Sequence, residues 1–147
     1  MSEIGPAIHV RLLRPGARLP ERATEGASGY DIYAALEGEA ITVGQGPTLV
    51  PTGIALEVPP GYDAQLRPRS GLARKGILAT FGTLDSDYRG ELMITLYAMA
   101  PGISHTVHDG DRIAQLVLAR LVHPAFIPAG ELSATMRGEG GHGSTGR

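Results

Sequence analysis

Ile8, Val10 and Leu12 alternate with His9 and Arg11, the period of a strand with one buried face. Ile54, Leu56 and Val58 alternate with Ala55 and Glu57, and Pro59-Pro60-Gly61 closes the run. Tyr62, Ala64 and Leu66 oppose Asp63, Gln65 and Arg67, and Leu92, Ile94 and Leu96 oppose Met93, Thr95 and Tyr97. Asp111 to Val122 satisfies helical and strand periods alike. The Asp109-Gly110 turn before it, Pro124 after it and its β neighbours make it a strand. One helical turn interrupts the pattern: Ser70 is a good N-cap, Leu72 and Ala73 form helix, and Gly76 is a natural stop. The pattern predicts an all-β domain, an antiparallel barrel or jelly roll with one short helical turn.

Composition narrows this picture. The 21 Gly and 11 Pro cut the chain into short pieces, as many turns require. At 147 residues one domain suffices. Charged residues make up 19% and the net charge is −2, so no basic field exists for nucleic acid and an anion must be held by local geometry. The chain has no cysteine, which excludes disulfides, thiolate nucleophiles and Cys-based zinc sites. Met1 to Pro6 has neither the basic nor the apolar region of a secretory leader, and no apolar run approaches membrane-spanning length. The expectation is a soluble, cytoplasmic protein with neither nucleic acid nor membrane as partner.

Candidate chemistry lies in the polar breaks. Gly82 to Glu91 packs Asp85, Asp87, Tyr88 and Arg89 into a glycine-bounded turn between apolar runs, with Gly90 a natural site for φ > 0. Such a turn places a carboxylate near an electrophile and a ring against a sugar or base, or is simply a solvated hairpin tip. Arg69, the Ser70 hydroxyl and the Gly71 amide stand at a helix N-terminus, which favours an anion. The tail from Arg137 has no aliphatic residue and cannot pack a core. Gly138, Gly140 and Gly143 match a dinucleotide-binding spacing, but no strand-turn-helix unit surrounds them, and Ser144 stands where a phosphate-loop lysine is required. The tail is a disordered terminus or a lid over a phosphorylated ligand, with Arg137 on phosphate and His142 on a base. Three-residue spacing sets His105 and His108 apart, which argues against a metal site with Asp109 and Asp111. Gln115 is a solvent-facing strand position or a buried amide held in a network.

Five segments in this order resemble the trimeric dUTP diphosphatase (dUTPase) family across nearly the whole chain: Ala27 to Ile32, Arg67 to Ala73, Gly82 to Glu91, Gly110 to Leu116 and Arg137 to Gly146. The resemblance implies a jelly-roll barrel over residues 1–136 and a glycine-rich arm, 137–147, closing a neighbouring subunit's site in a homotrimer. It implies Mg2+-dependent hydrolysis of dUTP to dUMP and pyrophosphate, which keeps uracil out of DNA and supplies dUMP. Asp85 stands at the family's base position. Arg69, Ser70 and Gly71 match its phosphate-contacting motif, and Arg137, Ser144 and Thr145 match tail contacts to the γ-phosphate, with His142 and Gly143 between them. Asp31 matches the residue that reaches Mg2+ through water, and Gln115 one that contacts phosphate or metal-bound water. Tyr88 matches the ring that packs on deoxyribose and leaves no room for a 2′-hydroxyl. Thr83, Leu84 and Met93 match hairpin positions that read the uracil edge through backbone. Three residues depart from the family pattern: His142 replaces a stacking Phe, and Ala79 and Ala98 each replace an Asn, the first of which helps recognise uracil. A dCTP deaminase on the same fold is the nearest rival, and Tyr88 and the full tail weigh against it.

Overall fold

A computed structural model describes residues 5–143. Every strand pair in it is antiparallel. In chain order the strands are β1 His9–Leu12, β2 Tyr30–Tyr33, β3 Ile41–Val43, β4 Thr48–Pro51, β5 Ile54–Glu57 and β6 Tyr62–Arg67. After a single helical turn, α1 Ser70–Ala73, come β7 Ile77–Ala79, β8 Gly82–Leu84, β9 Met93–Ala98, β10 His105–Val107 and β11 Arg112–Arg120. One sheet runs β2-β11-β6-β8 and another β4-β9-β7, while β1-β5 and β3-β10 form ribbons. The architecture is an all-β, jelly-roll-like barrel, as the alternation predicts.

The core fills from the apolar faces of these strands. Ile32, Val43, Val50, Ile54, Ile77, Ile94, Leu96, Val107 and Ile113 are fully buried, each such side chain contributing about 1.5–3 kcal/mol of transfer free energy. Asp111 to Val122 resolves as strand because Arg112 to Leu116 pairs with β2 on one side while Gln115 to Arg120 pairs with β6 on the other. A helix would leave β2, and the facing edge of β6, without a strand partner. A register shift between Arg112 and Ala114 marks a bulge at its start, a device that re-aims a side chain. Gln115 stands opposite Asp31 of β2 and Arg67 of β6, so one row across the sheet carries two of the residues singled out by the sequence together with a third polar one.

Several local expectations change. Ser70 is not the helix cap: Arg69, extended at φ −96° and ψ 135°, is, with no side-chain cap bond. Its carbonyl accepts the Ala73 N–H at 2.9 Å, and a guanidinium has no acceptor to offer an amide. Gly76 does adopt a positive φ, +82°. Asp63, expected on the wet face, is only 7% exposed, with Oδ2 accepting from Gln65 Nε2 at 2.9 Å. Asp109 and Asp111 serve the backbone, accepting the Leu36 and His108 N–H groups at 2.8 Å each. Among the described residues no strand follows β11, and Val122, Phe126, Ile127, Leu132 and Met136 are all at least 82% exposed. The Leu121 N–H still donates to the Gly61 carbonyl at 2.9 Å, and beyond it these apolar side chains are exposed within the subunit. No helix among the described residues is long and apolar enough to cross a membrane.

Candidate active site

Two clusters gather the singled-out residues, one beyond the Arg67 end of β6 and one along its β8 edge, where Asp85 lies toward Asp63. The first is built on Asp31, Arg69, Arg112 and Gln115. Arg69 Nε donates to Asp31 Oδ1 at 3.0 Å, and Arg112 Nη1 lies 3.6 Å from Asp31 Oδ2. The carboxylate, 13% exposed, thus sits between two guanidiniums. Such a half-buried charge is stable because it is paired. Two cations on one anion leave a net positive charge. Gln115 Nε2 donates to the Pro68 carbonyl at 2.9 Å, which ties β11 to the segment entering α1. A Cβ at Gly29 would collide with Gln115 Oε1 and stand 3.0 Å from its Cδ, so this close approach requires glycine. Gln115 is the networked amide of the two alternatives. Ser70 and Gly71 follow Arg69 in the first turn of α1, whose leading N–H groups have no partner within the helix.

The second cluster surrounds a cavity of about 310 Å³ lined by Leu66, Thr83, Leu84, Asp85, Tyr88 and Met93, with Gly82, Glu91 and Leu92 completing the wall. Thr83 and Leu84 belong to β8, which among the described residues is an edge strand paired with β6 alone, while Met93 opens β9, held by β4. The expected hairpin is therefore not formed: β8 and β9 lie in different sheets, and the loop between them crosses from one to the other. An unpaired strand edge offers N–H and C=O groups to a flat polar ligand.

The loop is held from within. The Tyr88 N–H donates to the Asp85 carbonyl at 3.1 Å, and Arg89 Nη1 donates to the Ser86 carbonyl at 2.7 Å. The Tyr88 hydroxyl donates to the Glu91 carbonyl at 3.0 Å. Gly90 is not among the residues of positive φ. Its lack of a side chain matters for space, because a Cβ would collide with the Tyr88 hydroxyl and stand 2.7 Å from Cζ. Asp85 is exposed and also borders a larger cavity with Asp63, Asp87 and His123.

Not every singled-out residue joins these clusters. Ala79, 3% exposed and opposite Leu96, is packed in the core and lines neither cavity; Ala98 is likewise buried, opposite Ile77. Arg137 and His142 are exposed, Arg137 Nε donates to the Gly140 carbonyl at 2.7 Å, and His142 has φ +51°. Gly143 stands in the same exposed turn, and Ser144 and Thr145 lie outside the described residues. Arg112, Gly29 and Glu91 emerge as members that motif reading quoted without a role. Their signal was position alone, beside Asp31, Gln115 and Tyr88.

The family model described as dUTPase matches residues 16–146. A deoxyuridine 5'-triphosphate nucleotidohydrolase of Treponema pallidum subsp. pallidum is 44% identical over 95% of this chain and 98% of its own. The protein of that name from Desulfotalea psychrophila is 47% identical over 87% of each. Among solved structures, a mutant dUTPase of Staphylococcus bacteriophage 80alpha, with dUpNHpp, superimposes with a TM-score of 0.86 at 28% identity, over 97% of this chain and 100% of that one. A mutant dUTPase from phage phi11 of S. aureus, described with a structural Mg(II) ion, gives 0.77 at 27% identity, over 86% and 98%. The match covers both clusters and the arm, and the chain belongs to the dUTPase family.

Proposed function

We propose that the chain hydrolyses dUTP to dUMP and pyrophosphate at sites completed between copies of itself in a homotrimer. The separation of Asp85 from Arg69 carries this reading. Leu84 pairs with Ala64 and Gly82 with Leu66, so Asp85 continues toward Asp63 while Arg69 lies beyond Arg67. Asp63 and Arg69 are roughly 20 Å apart at extended spacing. A general base must come within about 3 Å of the proton it takes, directly or through one water. A base at one end of β6 and a phosphate cradle at the other cannot act on one triphosphate within one copy. Two copies, each lending one end, can.

In this arrangement the net positive Asp31–Arg69–Arg112 cluster and the α1 turn hold the phosphates, which leaves the α-phosphorus facing the second copy. Asp85, exposed and unpaired with any cation among the described residues, takes the proton of a water lined up behind it. Tyr88 stands against the sugar, and Thr83, Leu84 and Met93 border the base. Among the described residues no group of three or more His, Cys, Asp or Glu could hold a metal. One shared carboxylate, Asp31, and one amide, Gln115, suit a Mg2+ held mainly by phosphate and water. When bound, that ion neutralises phosphate charge. The arm from Leu121, with its exposed apolar residues, supports an exchange between copies. So does a cavity of about 600 Å³ bordered by Val10, Leu19, Leu56, Leu116 and Leu118. Residues 137–147 then close the neighbour's site, with Arg137, Ser144 and Thr145 on phosphate and His142 and Gly143 by the base.

Pyrophosphate release from dUTP, dCTP, dTTP and UTP, with and without Mg2+, tests the reading. Release from dUTP alone, dependent on Mg2+, is expected. Ammonia from dCTP without pyrophosphate would assign the chain to deamination instead.

A further inference from the structure

Arg14 belongs to none of the five motif segments and lies in the bend after β1. It nevertheless reaches the loop that carries Asp85 and Tyr88. Its side chain is 15% exposed, and Nη1 donates to Glu91 Oε1 at 2.6 Å. The same oxygen accepts the Gly53 N–H at 2.8 Å. Gly53 has φ +69°, and a Cβ there would stand 2.9 Å from Arg14 Nη1 and from the Ala17 Cβ. The turn is thus built around the guanidinium. The next residue is pinned to the same turn, with the Leu92 N–H donating to the Ile54 carbonyl at 2.8 Å and the Thr52 hydroxyl to the Leu92 carbonyl at 2.6 Å. Glu91 then hands this rigidity to the cavity, because its carbonyl accepts the Tyr88 hydroxyl and Gly90 gives the ring its room.

We propose that Arg14 is a positioning residue for nucleotide selectivity: through Glu91 it fixes the Tyr88 ring and so sets how strictly a 2′-hydroxyl is refused. This rests on the reading of Tyr88 as the wall against deoxyribose. Apolar walls reject an added hydroxyl weakly when they can yield, and Tyr88 is 45% exposed, so its stiffness comes from its hydroxyl and the chain beneath. The other tether of the loop, Arg89 to Glu57 at 3.2 Å, joins two half-exposed side chains and is weakened by solvent. Arginine suits the place because its fork also reaches Glu37, 3.5 Å from Nε, a span that a lysine ammonium lacks.

The measurement is the ratio of kcat/KM for dUTP to that for UTP, in the full chain and in Arg14→Met, Arg14→Lys and Tyr88→Ala. Arg14→Met is expected to lower the ratio about tenfold, part of the roughly hundredfold by which a pocket wall rejects an added hydroxyl, and Arg14→Lys to recover most of it. Equal losses on both substrates, with the ratio unchanged, would mean a merely structural role and overturn the proposal. If Tyr88→Ala lowers the ratio and Arg14→Met does not, the proposal alone fails. If neither changes it, the reading of Tyr88 fails and takes the proposal with it. Should Arg14→Met not fold, Glu91→Gln, which keeps an oxygen for both donors, is expected to hold the ratio that Glu91→Ala loses; equal ratios in the two would overturn it.

Discussion

The Asp31 cluster and the Asp85 loop solve opposite problems. Around Asp31 every charge has a partner within the subunit, two guanidiniums on one carboxylate and an amide on a carbonyl. Folding alone can assemble such a cradle, because opposite charges offset the cost of leaving water. The Asp85 loop is organised by backbone bonds and by space around Tyr88, and its carboxylate is left exposed. A base that must accept a proton cannot be neutralised by a permanent ion pair. On the proposed reading, charge is prepaired where phosphate would bind and left free where a proton would move.

Breaking the free side has the largest expected effect. Asp85→Asn should lower kcat by about a thousandfold, within the range for loss of a general base, with KM for dUTP nearly unchanged in a pyrophosphate assay. Full activity would end the base assignment. Arg69→Gln removes one phosphate donor and the closest partner of Asp31, and kcat/KM should drop about a hundredfold. Co-refolding these two variants sharpens the comparison. If each site draws Arg69 and Asp85 from different copies, random mixing leaves about a quarter of the sites intact, and activity returns to that level. A mixture as inactive as its components would put both residues in one copy's site.

Removing residues 137–147 should cost about tenfold in kcat/KM through loss of closure, seen in steady-state kinetics with the barrel's thermal midpoint unchanged. The smallest change expected is for His142→Phe. Base stacking on a larger ring is worth about 1–3 kcal/mol per base in single-strand binders, but His142 sits at φ +51°, where a bulky side chain is strained by a comparable amount. KM for dUTP should fall a few-fold. An unchanged KM together with unchanged protease protection of the tail by dUpNHpp would show that the imidazole already stacks as well.

Much of the barrel was legible because β alternation is a local property. Ile54 to Glu57, Tyr62 to Arg67 and Met93 to Ala98 became strands as their patterns predicted. The individual members of both clusters were legible too, as motifs. Their grouping was not, since the row Asp31–Gln115–Arg67 depends on which strands β11 chose as neighbours. That Ala79 is buried was not legible, because a motif position says nothing of burial. Gly90 was correctly marked as special for the wrong reason: its constraint is the Tyr88 ring, a contact and not a torsion. Arg14 carried no signal at all, for its partner is far along the chain.

From the order of residues alone follow the strand-rich class, the sites of the turns and the inventory of chemical groups, because each depends on a residue and its near neighbours. Folding in three dimensions decided that Asp31, Arg69 and Arg112 gather beyond the Arg67 end of β6 while Asp85 lies toward Asp63, that Arg14 reaches the Tyr88 loop through Glu91, and that no strand follows β11 among the described residues. These are contacts between distant segments, and their energies exist only once the strands have chosen partners and register.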